Sequence, residues 1–197
     1  RTSSQQRADI NIEFIRKVRA ILDATQAEDD YRWLCVRVPC YTAYFDALGI
    51  DLPAMVGAGT DMLIVSPSYF TIQQNDMAVI KQMVPDTPVY LEMCHTTRLG
   101  DRAGDGYDGS TFRRTTELQY YTAAHLAYSR GLDGVNLFNF VYYRQHGVPE
   151  RGPWNEPPFE IIEHLDEPDW LAQQPQHYIW RVNETVQINR TDYSPRI

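Results

Sequence analysis

The chain has 197 residues, with 18 Lys+Arg against 26 Asp+Glu, a net charge of −8 and a pI near 5.0. No basic stripe accompanies that balance, so a nucleic-acid binder is not expected. Apolar residues make up 43% and charged residues 22%, a folded rather than a disordered composition. Apolar runs such as Met62-Leu63-Ile64-Val65 fall far short of the ~18 residues of a spanning helix, so no membrane partner is expected.

From Arg7 to Thr25, Ile10, Phe14, Ile15, Val18 and Leu22 recur at helical spacing and predict an amphipathic helix. A polar break at 26–30 leads into a buried strand from Trp33 to Val38, stopped by Pro39. Short helices are predicted at Tyr44–Leu48 and Leu52–Val56, the second ended by Gly57 and Gly59. Asp61–Ser66 reads as a strand, and Asn75–Met83 as a helix with Asn75 as its cap. Pro88–Met93 is the next strand. A Gly-rich loop at 99–109 precedes a long helix, Thr115–Arg130, started by Thr115 and ended by Gly131. Val135–Phe140 is a strand, Pro158–Leu165 a helix, and Tyr178–Val182 a strand in different company.

A leading helix followed by four strand-plus-helix units, with near-continuous apolar strands, implies a parallel sheet covered by helices. No G-x-G-x-x-G or P-loop follows any strand, which weakens a nucleotide-binding doubly wound sheet and leaves cofactors unexpected. Four units are half of a (β/α)8 TIM barrel, which needs about 250 residues. A half-barrel leaves two sheet edges open. The expectation is therefore an α/β chain: the second half of a TIM barrel with parallel strands over residues 1–175, then the start of a β-rich segment at 176–197. The remainder of the barrel is expected on an upstream segment or a second chain. The polar stretch Arg1–Arg7 lacks the apolar core of a signal peptide, and there is no initiator Met, so the chain reads as processed or as beginning inside a longer product.

Barrel enzymes carry their chemistry at the C-terminal ends of strands. Alternation places Trp33, Cys35 and Arg37 on one face of the first strand and directs Arg37 into the barrel mouth; the rival reading is a surface Arg paired with a carboxylate. Ser66 and Tyr69 end the second strand and can hydrogen-bond a ligand. In the third, Val89, Leu91 and Met93 form the helix-facing side, so Tyr90, Glu92 and Cys94 face the axis. A carboxylate inside a barrel is costly unless paired or used. Glu92 is therefore either a nucleophile or general acid/base for a glycosidic bond, or half of a structural ion pair with Arg37. His95 and Arg98 follow at the rim, where His95 can carry a proton, bind substrate or ligate a metal. Cys94 beside His95 suggests a thiol nucleophile, but neighbours on a strand point to opposite sides, which argues against it. The last strand contributes the amides of Asn136 and Asn139, with Tyr142, Tyr143 and Arg144 beyond.

The remaining signals are weaker. The loop Asp101–Gly109 fails the spacing of a calcium-binding EF-hand and reads as a wall of the site. Three cysteines (Cys35, Cys40, Cys94) cannot all pair internally, so a disulfide scaffold is not expected. Thirteen Tyr and four Trp serve either a core or platforms for sugar stacking. Asn155-Glu156-Pro157 has the lettering of a retaining-glycosidase acid/base motif but lies in a loop, where capping is the simpler role. Asn183-Glu184-Thr185 and Asn189-Arg190-Thr191 match the glycosylation pattern, which has meaning only in a eukaryotic secretory setting.

A set of phrases resembles a known family: Phe14-Ile15-Arg16-Lys17-Val18-Arg19, Val36-Arg37-Val38-Pro39, Leu48-Gly49-Ile50-Asp51, the strand Asp61–Ser66, and Gly131 through Phe140. Together they resemble the C-terminal half of bacterial glycoside-hydrolase-like TIM-barrel proteins, related in outline to the retaining-glycosidase clan. The resemblance spans about residues 7–182, with Gln176-His177-Tyr178 similar to the lead-in of a following β-sandwich. It implies that Arg1 lies just after the fourth barrel strand and that Glu92 occupies the nucleophile position of strand seven. The acid/base would then lie upstream of Arg1. It also points to a secreted or periplasmic bacterial setting.

The expected function is a carbohydrate-active glycoside hydrolase, or a fragment of one, that cleaves a poly- or oligosaccharide with paired carboxylates. Glu92 is the catalytic candidate, with Arg37, Tyr69, His95, Arg98, Asn136, Asn139 and Tyr142 toward substrate. The alternatives are a non-catalytic carbohydrate-binding barrel and a metal-dependent hydrolase built on His95 and loop carboxylates.

Overall fold

A computed structural model of the chain describes residues 2–27, 29–67, 71–98, 112–143, 156–179, 186–188 and 191–193. At 98, 112–113, 142–143, 186–188 and 191–193 only the backbone is described. The helix α1 (Ser4–Thr25) is followed by β1 (Cys35–Pro39), α2 (Phe45–Leu48), α3 (Leu52–Gly57), β2 (Met62–Ser66), α4 (Met77–Met83) and β3 (Val89–Cys94). Then come β4 (Thr96–Arg98), β5 (Phe112–Arg114), α5 (Glu117–Ser129), β6 (Gly134–Phe138) and α6 (Pro168–Gln173). A short antiparallel hairpin of β7 (Val186–Ile188) and β8 (Thr191–Tyr193) lies near the C-terminus. The chain is an alternating α/β fold whose four long strands form one parallel sheet in the order β1-β2-β3-β6. Sequential strands separated by helices are what parallel neighbours require. No helix among the described residues is long and apolar enough to cross a membrane.

Two compact units are distinguished: Arg1–Val65 with Asp76–Val89 and Asn183–Ile197, and Ser66–Asn75 with Tyr90–Val182. In the first, α1 begins at a capping box: the Gln6 amide donates to Ser3 Oγ, and the Ser3 amide donates to Gln6 Oε1. Leu48-Gly49 is where α2 meets α1. Gly49 sits at φ 68°, and a Cβ there would come within 2.5 Å of Ala8 N and Arg7 Cβ. Only glycine satisfies both the left-handed turn and the close approach. Asn11 secures the junction by donating to the Leu48 and Gly49 carbonyls at 3.1 and 2.8 Å. Before β1, Asp61 accepts from Arg19 at 3.1 Å, from the Tyr31 hydroxyl at 2.5 Å and from the Leu34 amide at 2.6 Å. One carboxylate thus ties helix, loop and strand.

The strand faces are unequal. In β2, Leu63 and Val65 are fully buried while Met62 and Ile64 are half-buried. In β1, Val38 is buried, and Cys35 and Arg37 are exposed.

Several boundaries differ from the sequence expectation. The helix after β2 starts at Met77, and Asn75 does not cap it: its side chain donates back to the Ile72 carbonyl at 3.0 Å. Asp76 holds the cap position but spends its carboxylate on the Thr42 amide and hydroxyl, at 2.8 and 2.7 Å. In the second unit, Thr116 rather than Thr115 starts α5, through a capping box with Gln119. Tyr120, Ala123, Ala124 and Ala127 lie fully inside at i, i+3, i+4 and i+7 spacing, while Leu118 is exposed. The Pro158–Leu165 stretch forms a 3-10 turn over Phe159–Glu163 rather than an α-helix, and α6 follows it unforeseen. Tyr178 and Ile179 form no strand. Instead the Gln73 amide stands in for one, donating to the His177 carbonyl and accepting from the Ile179 amide, both at 2.8 Å. Residues 180–182, Asn155 and the Gly-rich loop lie outside the described residues.

Candidate functional site

Glu92 belongs to the second unit. It is 2% exposed, near the C-terminal end of β3, on the face opposite Leu91 and Met93, as alternation predicts. The Ser66 hydroxyl, itself buried, donates to Glu92 Oε1 at 2.8 Å. In the parallel ladder of β3 and β6, Glu92 lies level with Asn136, Tyr90 with Gly134 and Cys94 with Phe138. Parallel neighbours in register share a face, so the half-buried Asn136 stands beside the carboxylate. A Cβ on Gly134 would come within 2.8 Å of the Tyr90 ring, so the bare backbone there leaves the ring its place.

Besides its β6 partner, the end of β3 is pinned by hydroxyls. The Cys94 carbonyl accepts from Thr71 Oγ1 at 2.7 Å, Thr115 Oγ1 at 2.8 Å and the Tyr120 hydroxyl at 3.1 Å. The Cys94 amide donates to Thr71 Oγ1 at 2.9 Å. The Thr71 amide donates to the Thr96 carbonyl, and the Thr115 amide to the His95 carbonyl, at 2.7 and 2.9 Å. Thr97 continues the network to Thr115 and Gln119. All of these side chains are buried, so each unmade bond would carry a desolvation cost of about 1–3 kcal/mol. The Cys94–His95 peptide is thereby fixed from both sides.

His95, 5% exposed, leaves the strand at a bend. The expectation that Cys94 and His95 point apart therefore fails: Cys94 Sγ lies 3.3 Å from His95 Nδ1. Burial pushes the Cys94 thiol up from its usual range, with the Glu92 charge adding to the shift. That environment keeps the thiol protonated, the opposite of what a nucleophilic cysteine needs.

The other sequence candidates fall in different places. Arg37 belongs to the first unit, on the exposed face of β1. Asn139 is not in the last strand, which ends at Phe138: it stands just past it at φ 54°, a left-handed turn that Asn tolerates and that stops the ladder. Tyr142 lies in the 3-10 turn Phe140–Tyr143, and Arg98 in β4, opposite Phe112 of β5; the side chains of both lie outside the description. Tyr69, Arg144 and the Asp-rich loop fall outside the described residues. The hairpin of β4 and β5, which flanks that loop, was not foreseen, nor were Thr71, Thr115 and Tyr120 as a network; scattered threonines give no sequence signal.

Among the described residues, no second carboxylate is paired with Glu92, and no three His, Cys, Asp or Glu side chains group so as to hold a metal ion. Cys35, Cys40 and Cys94 are free thiols. No protein-family model matches the chain, and no curated protein matches it.

Proposed function

We propose that this chain carries the substrate-facing half of a carbohydrate-active hydrolase, with Glu92 as nucleophile or as one carboxylate of the catalytic pair. One observation carries the reading: a buried carboxylate at the C-terminal end of a parallel strand, held by the Ser66 hydroxyl and level with the Asn136 amide. Ligands of parallel α/β sheets collect at that end of the strands. A carboxylate attacks the anomeric carbon as the glycosidic oxygen leaves, a protonated carboxyl gives that oxygen its proton, and amides and hydroxyls bind sugar hydroxyls. His95, Arg98, Asn139 and Tyr142, all near strand ends of the second unit, are the accompanying substrate groups.

On this reading the sheet closes into a barrel with strands supplied by an upstream segment or a second chain, which bring the acid/base. Two features of the first unit support this. β1 is the end strand of the sheet, and beside it α1 leaves Ile10 and Phe14 60% and 67% exposed. Between α1 and β1 runs a groove of about 450 Å³ lined by Phe14, Ile15, Val36 and Val38. Separation of Glu92 from the second carboxyl would set the outcome: about 5–5.5 Å for retention, about 6.5–9.5 Å for inversion.

The test is Glu92→Gln in the complete protein, assayed on a panel of polysaccharides and aryl glycosides. Turnover should fall by about two orders of magnitude or more while glycan binding survives. Unchanged turnover on a responsive glycan refutes the assignment, and binding with no turnover by the wild type makes the chain a carbohydrate-binding barrel.

A further inference from the structure

We propose that the side-chain amides of Asn136 and Asn139 together bind the hydroxyls of an uncharged sugar unit, and that Asn139 holds a left-handed turn for the sake of its amide. This rests on the carbohydrate reading above and names the groups that grip the sugar beside Glu92. Asn136 lies level with Glu92 on the neighbouring parallel strand and on the same face. Asn139 comes directly after Phe138, the last residue of that strand. Both are half-buried. Other amides of similar or greater burial are used inside the fold. Asn11 donates to the Leu48 and Gly49 carbonyls, Asn75 to the Ile72 carbonyl and Gln73 to the His177 carbonyl, while Gln119 accepts from the Thr116 amide. The side-chain amides of Asn136 and Asn139 make no hydrogen bond among the described residues.

The turn alone does not account for Asn139. At φ 54° it is the one non-glycine with positive φ among the described residues. Phe140 is what requires the turn: it is 8% exposed, and its ring meets those of Tyr120 and Phe159 edge-on at 5.8 and 5.7 Å. Glycine makes such a turn at no steric cost, whereas asparagine is only tolerated there. Asparagine in a turn commonly bonds its own backbone two residues on. Asn139 makes no such bond, so its amide is left for a ligand. An amide both donates and accepts without charge, as a sugar hydroxyl does. The Glu92 carboxylate, level with Asn136, disfavours an acidic sugar by like-charge repulsion. The class that fits is an uncharged sugar with free hydroxyls.

NMR titration of the nitrogen-labelled full chain with glucose, galactose, mannose, xylose and glucuronate tests this. The two side-chain amide signals are assigned by their loss in Asn136→Ala and Asn139→Gly. Both signals should shift with at least one neutral sugar and stay still with glucuronate. In each variant that sugar should bind about threefold to tenfold more weakly, the effect of losing one neutral hydrogen bond. Asn139→Gly should leave the urea midpoint unchanged or raise it, because glycine suits the turn, so weaker binding there is not loss of fold. Asn139→Asp keeps the acceptor and removes the donors, and should weaken binding likewise. If Asn136→Ala does not fold, the two Asn139 variants decide. A neutral sugar that binds the variants as well as the wild type overturns the proposal. So does a response to glucuronate alone, no response to any sugar, or a large fall of the urea midpoint in Asn139→Gly. Unweakened binding in the variants leaves the Glu92 assignment standing, because turnover in Glu92→Gln is measured independently of these amides.

Discussion

The Ser66 hydroxyl donates to Glu92 Oε1 at 2.8 Å, with Ser66 8% and Glu92 2% exposed. Hydrogen bonds to charged groups contribute about 1.5–3 kcal/mol when one partner is removed. Ser66→Ala should therefore lower stability by about that amount, read as a shift of the urea midpoint. Ser66→Thr keeps the hydroxyl and should cost less. An unmoved midpoint in Ser66→Ala would mean that the bond contributes nothing net.

Gly49 and Gly57 make opposite predictions for the same change. Gly49→Ala forces a left-handed φ on a residue with a Cβ and drives that atom to 2.5 Å from the backbone of α1. It should cost more than the ~1–3 kcal/mol of strain alone. Gly57 closes α3 with nothing within 4 Å of its added Cβ. Gly57→Ala should be neutral or stabilising by about 0.4–1 kcal/mol. Thermal unfolding of the two variants side by side checks the pair, and equal effects would contradict the packing of α1 on Gly49.

How far the sequence reached is visible in these elements. The strands and their order follow from apolar runs, because a core strand must be continuous and its crossovers helical. The inward face of Glu92 follows from alternation, because the pleat has period 2. Boundaries set by competition between equal chemistries were not legible. Thr115 and Thr116 are both cap-competent, and the choice falls to Thr116 because Thr115 is used by the Cys94 carbonyl. Asn75 and Asp76 are both capping types, yet each side chain bonds elsewhere. The Cys94–His95 contact was hidden because alternation holds only while the strand lasts, and the bend at His95 is fixed by threonines far apart in the sequence.

Tyr121 gives an alkaline signature. Burial, together with the carboxylates of Glu117, Glu160 and Glu163, pushes its phenol up to about 12. An unfolded tyrosine titrates near about 10. Below that pH both states are neutral, and the group is indifferent to folding. Between about 10 and 12 the unfolded chain loses the proton while the folded chain keeps it, so stability falls as pH rises. The unfolding constant should grow by up to about tenfold per pH unit in that window from this residue. In Tyr121→Phe the slope should flatten by that amount, measured by urea unfolding at a series of alkaline pH values. An identical slope in both proteins would show that the phenol is not held neutral by its surroundings.

Glu92 itself separates a structural carboxylate from a functional one. If Glu92 were half of a buried ion pair, removing its charge would leave an uncompensated cation and cost about 3–5 kcal/mol. If it is a reacting group, the fold carries it at a loss, because a buried charge is held for chemistry rather than for packing. Glu92→Gln keeps the shape, and its amide oxygen still accepts from Ser66. The substitution should then leave the urea midpoint unchanged or raise it, while turnover in the complete protein falls. Glu92→Met, which removes every polar atom, should take away the acceptor of the Ser66 hydroxyl bond and cost more than Glu92→Gln. A loss of several kcal/mol in Glu92→Gln with turnover intact would assign the carboxylate to the scaffold. A neutral or stabilised protein without turnover is the outcome that the buried, hydroxyl-held carboxylate at the end of β3 leads us to expect.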